Sequence, residues 1–238
     1  MSERAYLMEL GTVPYREAWD LQRSLAAAVS QGTIPDIVVF CQHPPVVTMG
    51  RRTEASELHV PESAQVELVE TDRGGKSTYH GPGQLICYPI LDLHGHGKDV
   101  KLYVRRLEEA IIRTLAPLGI KGTRIEGLTG VWLRDPPRKV ASIGVHISRW
   151  ITTHGYALNV DLDPAPLSDW ITACGLEDAS FTTIARELGR PVAVEEVRPL
   201  AEAAIASVFE LELEVLPREE NGGTGLWPQP IHERLSAD

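Results

Sequence analysis

Cysteine is scarce in this chain. Its 238 residues include three, Cys41, Cys87 and Cys174, widely spaced and without a CxxC pair, so neither a disulfide framework nor a zinc site is expected. That usage fits a reducing compartment. Long apolar runs are missing as well, none approaching the ~20 residues that span a bilayer. The first residues, Met-Ser-Glu-Arg, lead no basic stretch into an apolar one, and a cytoplasmic protein with no membrane partner is the expectation. Positive charge is in deficit. A formal net charge of -10 argues against a general nucleic-acid binder, which needs a basic face to neutralise phosphates. Neither GxxxxGK[ST] nor GxGxxG occurs, which removes two common phosphate-cradling loops. Internal repeats are absent too.

The composition that remains, 43% apolar and 24% charged, suits a globular protein able to bury a core without staples. Periodicity predicts a mixed α/β (α+β) chain. Strands are expected at residues 5–10, 37–41, 66–69, 85–90, 140–147, 156–160 and 212–216, and helices at 15–29, 99–115 and 195–209. The clearest helix, 99–115, gathers Val100, Tyr103, Val104, Leu107, Ile111 and Leu115 on one side. A short polar connection is expected between the 140–147 and 156–160 strands. Pro199 is tolerable only near the first turn of its helix. One domain, residues 1–220, is the simplest organisation, with a loose Gly/Pro-rich tail at 221–238. Charge is uneven: residues 191–220 carry eight acidic and two basic side chains, whereas Lys98, Lys101, Arg105 and Arg106 stand against Asp99 alone. Two solvated faces explain this, and a docking patch for an acidic partner is the sharper alternative.

Three segments concentrate chemistry. Residues 73–84, RGGKSTYHGPGQ, hold four glycines, one proline, three basic or imidazole side chains and three hydroxyl-bearing ones. No regular element is expected there. Such a loop suits a pocket wall presenting backbone N–H groups, since a plain turn needs only one or two such residues. Residues 138–160, RKVASIGVHISRWITTHGYALNV, set Lys139 at the head of a strand of small and apolar residues. It either snorkels to water, the commoner fate, or sits at the edge of a low-dielectric site. In ITACGLED, residues 171–178, Cys174 lies between Ala173 and Gly175 and is approachable, whereas Cys41 and Cys87 sit in apolar runs and read as packing cysteines. By itself a lone cysteine is more often inert than catalytic.

Taken together, these segments resemble the octanoyltransferase (lipoyl/octanoyl transferase) family of the biotin and lipoate protein ligase catalytic fold. The resemblance is carried by QHPPVVTMGR at 42–51, RGGxxTxHGPGQ at 73–84 followed by Tyr88-Pro89, KxAxIGV at 139–145, RWxTxHGxALNV at 149–160, and Cys174-Gly175. The chain departs at Ala173, where proline is common, and at His146, where arginine is common. The resemblance implies a mixed, largely antiparallel sheet flanked by helices. It further implies that Cys174 is an acyl-thioester nucleophile activated by Lys139. Substrate contacts are implied for Arg73, Gly74, Gly75, Lys76, Ser77, Thr78, Tyr79 and His80, for Ser142, Ile143 and Gly144, and for His154, Gly155 and Tyr156. The implied donor is octanoyl-acyl carrier protein, and the implied acceptors are lipoyl domains of 2-oxoacid dehydrogenases and the glycine cleavage H protein, with no metal and no cofactor. A thiol of pKa ~8.5 and an amine of ~10.4, paired in a partly dry site, would share a proton as a coupled unit. Two rivals remain at this stage. An ATP-dependent lipoate-protein ligase of the same fold would need Lys139 but no cysteine, and a non-catalytic lipoyl-domain-binding protein would not be acylated.

Overall fold

A computed structural model describes residues 3–172 and 180–216. Cys174, with its neighbours Ala173 and Gly175, and the tail at 221–238 lie outside the described residues. Along the chain, β1 (Glu3–Thr12) leads into α1 (Tyr15–Gln31), then β2 (Asp36–Gln42), β3 (Val46–Met49), β4 (Glu67–Glu70), β5 (Thr78–His80) and β6 (Gln84–Ile90). Helix α2 (Val100–Leu115) precedes β7 (Thr123–Ile125), β8 (Leu128–Leu133), β9 (Arg138–Ser148) and β10 (Ile151–Asn159). Short helices α3 (Ala165–Asp169) and α4 (Ile184–Leu188), long α5 (Val194–Phe209) and β11 (Leu211–Val215) follow.

Eight strands form one sheet in the order β11-β1-β2-β6-β10-β9-β8-β7, and β4-β3-β5 form a second. Strand β1 pairs parallel with both β11 and β2, and from β2 to β7 every neighbour is antiparallel. Both faces of the large sheet are covered, which is why its central strands read as continuous apolar runs. Ala5, Leu7, Val38, Phe40, Leu85 and Cys87 pack beneath α2 and α5. Their alternates Tyr6, Met8, Ile37, Val39, Ile86 and Tyr88 pack beneath α1, as the two-residue period of a strand requires.

Local chemistry sets the helix ends. Asp99 caps α2, its carboxylate accepting from Lys101 N at 2.8 Å and Leu102 N at 3.0 Å. Gly32, at φ 70°, closes α1 in the left-handed region.

Several expectations change. The 73–84 segment is not wholly irregular, because Thr78–His80 pairs antiparallel with β3. β10 starts five residues earlier than expected, so the connection to β9 is only Arg149-Trp150 and Thr152, Thr153 and His154 are buried within the strand. Val100 is exposed, whereas Glu108 is buried on the same helix. Pro199 lies past the first turn of α5, where it removes an internal hydrogen bond.

Candidate active site

Glycines open the sheet where the site forms. Gly144 on β9 stands opposite Gly155 on β10. A Cβ on Gly144 would come within 3.1 Å of Arg73 Cδ and 3.2 Å of the Gly74 carbonyl oxygen, so its absence lets the Arg73-Gly74 loop lie on the backbone of β9. Gly74 N–H donates to Val145 O at 2.9 Å. Under this loop lies a cavity of about 370 Å³ lined by residues from both sheets, α1, α2 and the β7–β8 turn.

Fourteen of the sixteen anticipated site residues line this cavity: Arg73, Gly74, Gly75, Lys76, Ser77, Thr78, His80, Lys139, Ser142, Ile143, Gly144, His154, Gly155 and Tyr156. Tyr79 turns the other way. Its ring meets Trp170 edge-on at 5.5 Å, in a separate cluster with Val47 and Leu167, because successive residues of β5 face opposite sides. The sixteenth, Cys174, lies outside the described residues.

Lys139 is 3% exposed, which decides against a strand-end lysine reaching water. Its N–H donates to Ser180 O at 2.8 Å, and its carbonyl accepts from Thr182 N at 3.0 Å. On the other side of residues 173–179, Thr172 N donates to Glu57 O at 2.9 Å. The Glu57 carboxylate in turn pairs with the Lys76 ammonium, so this cavity-lining lysine already has a charge partner.

Arg73 is buried and holds the loop together. Its Nη2 donates to Thr48 O at 2.7 Å and its Nη1 to Lys76 O at 2.7 Å. Burial lowers its pKa, opposed by Tyr15 and Tyr88.

Beside the cavity runs a directed hydrogen-bond chain. His80 Nδ1 donates to Gln84 Oε1 at 2.7 Å, Gln84 Nε2 donates to Asn159 Oδ1 at 2.9 Å, and Asn159 Nδ2 donates to Thr182 O at 3.1 Å. The chain ends at the residue bonded to Lys139. His43 Nδ1 donates to Val13 O at 2.7 Å, which leaves Nε2 to accept from the Tyr88 hydroxyl at 2.7 Å. Burial, before any other cause, pushes His43 down to about 4 and His80 to about 3, so both rings are neutral near neutral pH. His154 Nε2 donates to Asp72 Oδ1 at 2.7 Å, and its Nδ1 faces the Tyr15 hydroxyl at 3.3 Å. Burial lowers His154, and its N–H holds the Asp72 carboxyl below the usual range.

Not anticipated were Tyr15, which lines the cavity, Asp72, Gln84 and Asn159, which bond around it, and Trp132, whose ring centroid lies 5.3 Å from Lys139 Nζ. Gln84 and Asn159 carried a signal, as amides within apolar strands, whereas Tyr15 and Trp132 look in sequence like ordinary core aromatics. Of the basic residues at 98–106, Lys98, Lys101 and Arg105 are exposed on or beside α2, and Arg105 is paired with Glu108 at 2.9 Å; Arg138, at the head of β9, is paired with Glu187 at 2.6 Å. Cys41 and Cys87 are free and buried. Among the described residues no helix is long and apolar enough to cross a membrane.

Known proteins resemble this chain in sequence and in fold. Residues 14–206 match the lipoyl protein ligase A/B catalytic domain. An octanoyltransferase of Chloroflexus aurantiacus is 47% identical over 210 residues, 85% of this chain and 93% of that protein. An octanoyltransferase of Mycobacterium tuberculosis is 46% identical over 224 residues, 94% of each. Among solved structures, a bipartite lipoate protein ligase from Thermoplasma acidophilum superposes with a TM-score of 0.71 at 18% identity, covering 92% of this chain and 88% of that one, a likeness of fold. The chain therefore belongs to the octanoyltransferases of the lipoyl protein ligase A/B catalytic-domain family and is an acyltransferase.

Proposed function

We propose that this chain moves an octanoyl group from octanoyl-acyl carrier protein to a lysine of lipoyl domains, through a thioester on Cys174, as the first step of endogenous protein lipoylation. The acceptors are the lipoyl domains of 2-oxoacid dehydrogenases and the glycine cleavage H protein. The observation that carries the reading is a buried lysine in the cavity wall, hydrogen-bonded through its backbone to Ser180 and Thr182, just past the segment that contains Cys174. A reducing cytoplasm suits a free nucleophilic thiol.

In the first half-reaction Lys139, as the amine, takes the Cys174 proton. The thiolate attacks the donor carbonyl, the new C–S bond forms, and the carrier's thiolate leaves with the proton from Lys139. In the second, the neutral acceptor amine attacks the Cys174 thioester. The amide C–N bond forms, Lys139 takes the amine proton and returns it to the departing Cys174 sulfur. One thioester replaces another, so no ATP is consumed. Backbone N–H groups near Gly75 to Thr78, or those around Cys174, are the donors for the oxyanion. Ile143 and Tyr156 supply apolar wall for the chain, at roughly 0.8 kcal/mol per buried methylene.

Intact-mass measurement after mixing with octanoyl-acyl carrier protein, without ATP, tests the reading. One octanoyl adduct is expected, removable by hydroxylamine, absent in Cys174→Ala and retained in Cys41→Ala and Cys87→Ala. An adduct that survives in Cys174→Ala, or one that forms only with ATP, overturns it.

A further inference from the structure

A lysine that exchanges protons with a thiol and then with an amine must keep its ammonium in one place. Strand β8 supplies the means. Val131 stands opposite Ala141, but Trp132 stands opposite Lys139, so Val140 is an extra residue on β9 and the pair carries a β-bulge. Bulges re-aim side chains. Here Val140 and Ala141 both enter the core beneath α2 and α5, while Lys139 lines the cavity.

Two residues of β8 bound the lysine's path. Gly130, at φ 119°, lies against the side chain: a Cβ there would stand 2.7 Å from Lys139 Cε, 3.3 Å from its Nζ and 2.5 Å from the Ala141 carbonyl oxygen. Any larger residue would displace the lysine and adopt an unfavourable backbone angle. Trp132 presents its ring to the ammonium, with Nζ 5.3 Å from the centroid, inside the ~6 Å reach of a cation–π contact. Gly130 is itself held from α2. Its N–H donates to Oε1 of buried Glu108 at 3.3 Å, and the other Glu108 oxygen accepts from Arg105 at 2.9 Å and Arg124 at 3.1 Å.

We propose that Gly130 and Trp132 are positioning residues for Lys139, the first by leaving space for its methylene chain and the second by holding its ammonium against the indole face. The proposal rests on the proton-transfer role given to Lys139 above. Neither residue needs to touch substrate.

The test is steady-state transfer from octanoyl-acyl carrier protein to a lipoyl domain by the full-length chain, with thermal melts as a check on folding. Trp132→Leu is expected to lower kcat about 5- to 30-fold, the range of a partly to fully desolvated cation–π contact. The KM for donor should stay within about twofold, as for an interaction that matters to the reaction rather than to binding. Trp132→Phe, which keeps an aromatic face, should recover kcat to within about threefold of the parent. Gly130→Ala should cost at least about tenfold in kcat, since misplacing a catalytic group by ~1 Å has effects of that order or more. A wild-type kcat in Trp132→Leu, or equal losses in the Leu and Phe variants, overturns the proposal. Lys139→Ala in the same assay separates the two ideas: full activity there defeats the proton-transfer role itself, whereas an inactive Lys139→Ala beside a normal Trp132→Leu defeats only the positioning.

Discussion

Gly155 faces Gly144 across the β9–β10 pair, and the Cys87 carbonyl oxygen lies 2.1 Å from the point a Cβ on Gly155 would occupy. The obstacle is backbone of a buried central strand, so no rotamer change relieves it. Gly155→Ala is expected to destabilise the protein by ~1–3 kcal/mol or more, in the range of overpacked cores. Urea melts check this, and a variant as stable as the parent would contradict the packing described.

The Asp72–His154 contact should contribute to stability through an unmet donor. Asp72→Ala leaves His154 Nε2–H without its acceptor at a buried site, at a cost of ~1–3 kcal/mol. Asp72→Asn keeps an acceptor oxygen and should lose less. Equal stabilities of the two variants in denaturant would remove this account.

Acid should weaken the fold early. His43 and His80 sit at about 4 and about 3 in the folded chain, below the ~6.5 of a free imidazole. The unfolded chain therefore binds protons that the folded one refuses. Their contribution is fully present above ~6.5 and is lost as pH falls from there toward 4 and 3, at up to about 1.4 kcal/mol per pH unit for each ring. Asp72, held low by His154, adds a further loss only below ~3.9. Urea melts at about pH 7.5, 6 and 5 measure the slope, and flat stability across that interval would contradict neutral buried rings.

Lys139→Ala should raise the pH at which Cys174 reacts with iodoacetamide. It should slow acyl-enzyme formation more at about pH 7 than at about pH 9, where hydroxide generates the thiolate. Lys139→Arg should rescue little, because a guanidinium can pair with a thiolate but does not give up its proton in this range. An unchanged alkylation profile with failed transfer would reduce Lys139 to a substrate contact.

The exposed Lys98 and Lys101 should draw an acidic partner. Affinity for the carrier protein is expected to fall as salt rises, since the Debye length is ~8 Å at physiological ionic strength. Charge reversal at both should weaken binding at low salt, and salt-independent binding would exclude the patch.

Much of the site was legible because its motifs are local. RGGKSTYHGPGQ has too many glycines for anything but a close approach of backbone, and fourteen of the sixteen anticipated residues do line the cavity. Tyr79, implied by the resemblance, faces away from the cavity because the stretch expected to be irregular contains the three residues of β5, and strand alternation turns the middle one to the other side. The polar start of β10 was read as a connection because Thr152 and Thr153 are polar. Burial there depends on partners far along the chain: Thr152 Oγ1 bonds to Pro89 O at 2.8 Å, and His154 N–H bonds to Gln22 Oε1 at 2.7 Å.

What the sequence determined by itself was the alternation of elements, the two-sided burial of the central strands and the glycine-rich loop, all set by neighbours a few residues apart. Only the tertiary structure decided that Lys139 is buried rather than solvated, that Lys76 and Arg138 are already paired, that Gly130 and Trp132 lie against the Lys139 side chain, and that Gln84 and Asn159 link His80 to Thr182. Each of those outcomes depends on contacts between residues distant in sequence, and on a one-residue bulge in the β8–β9 register that no local periodicity records.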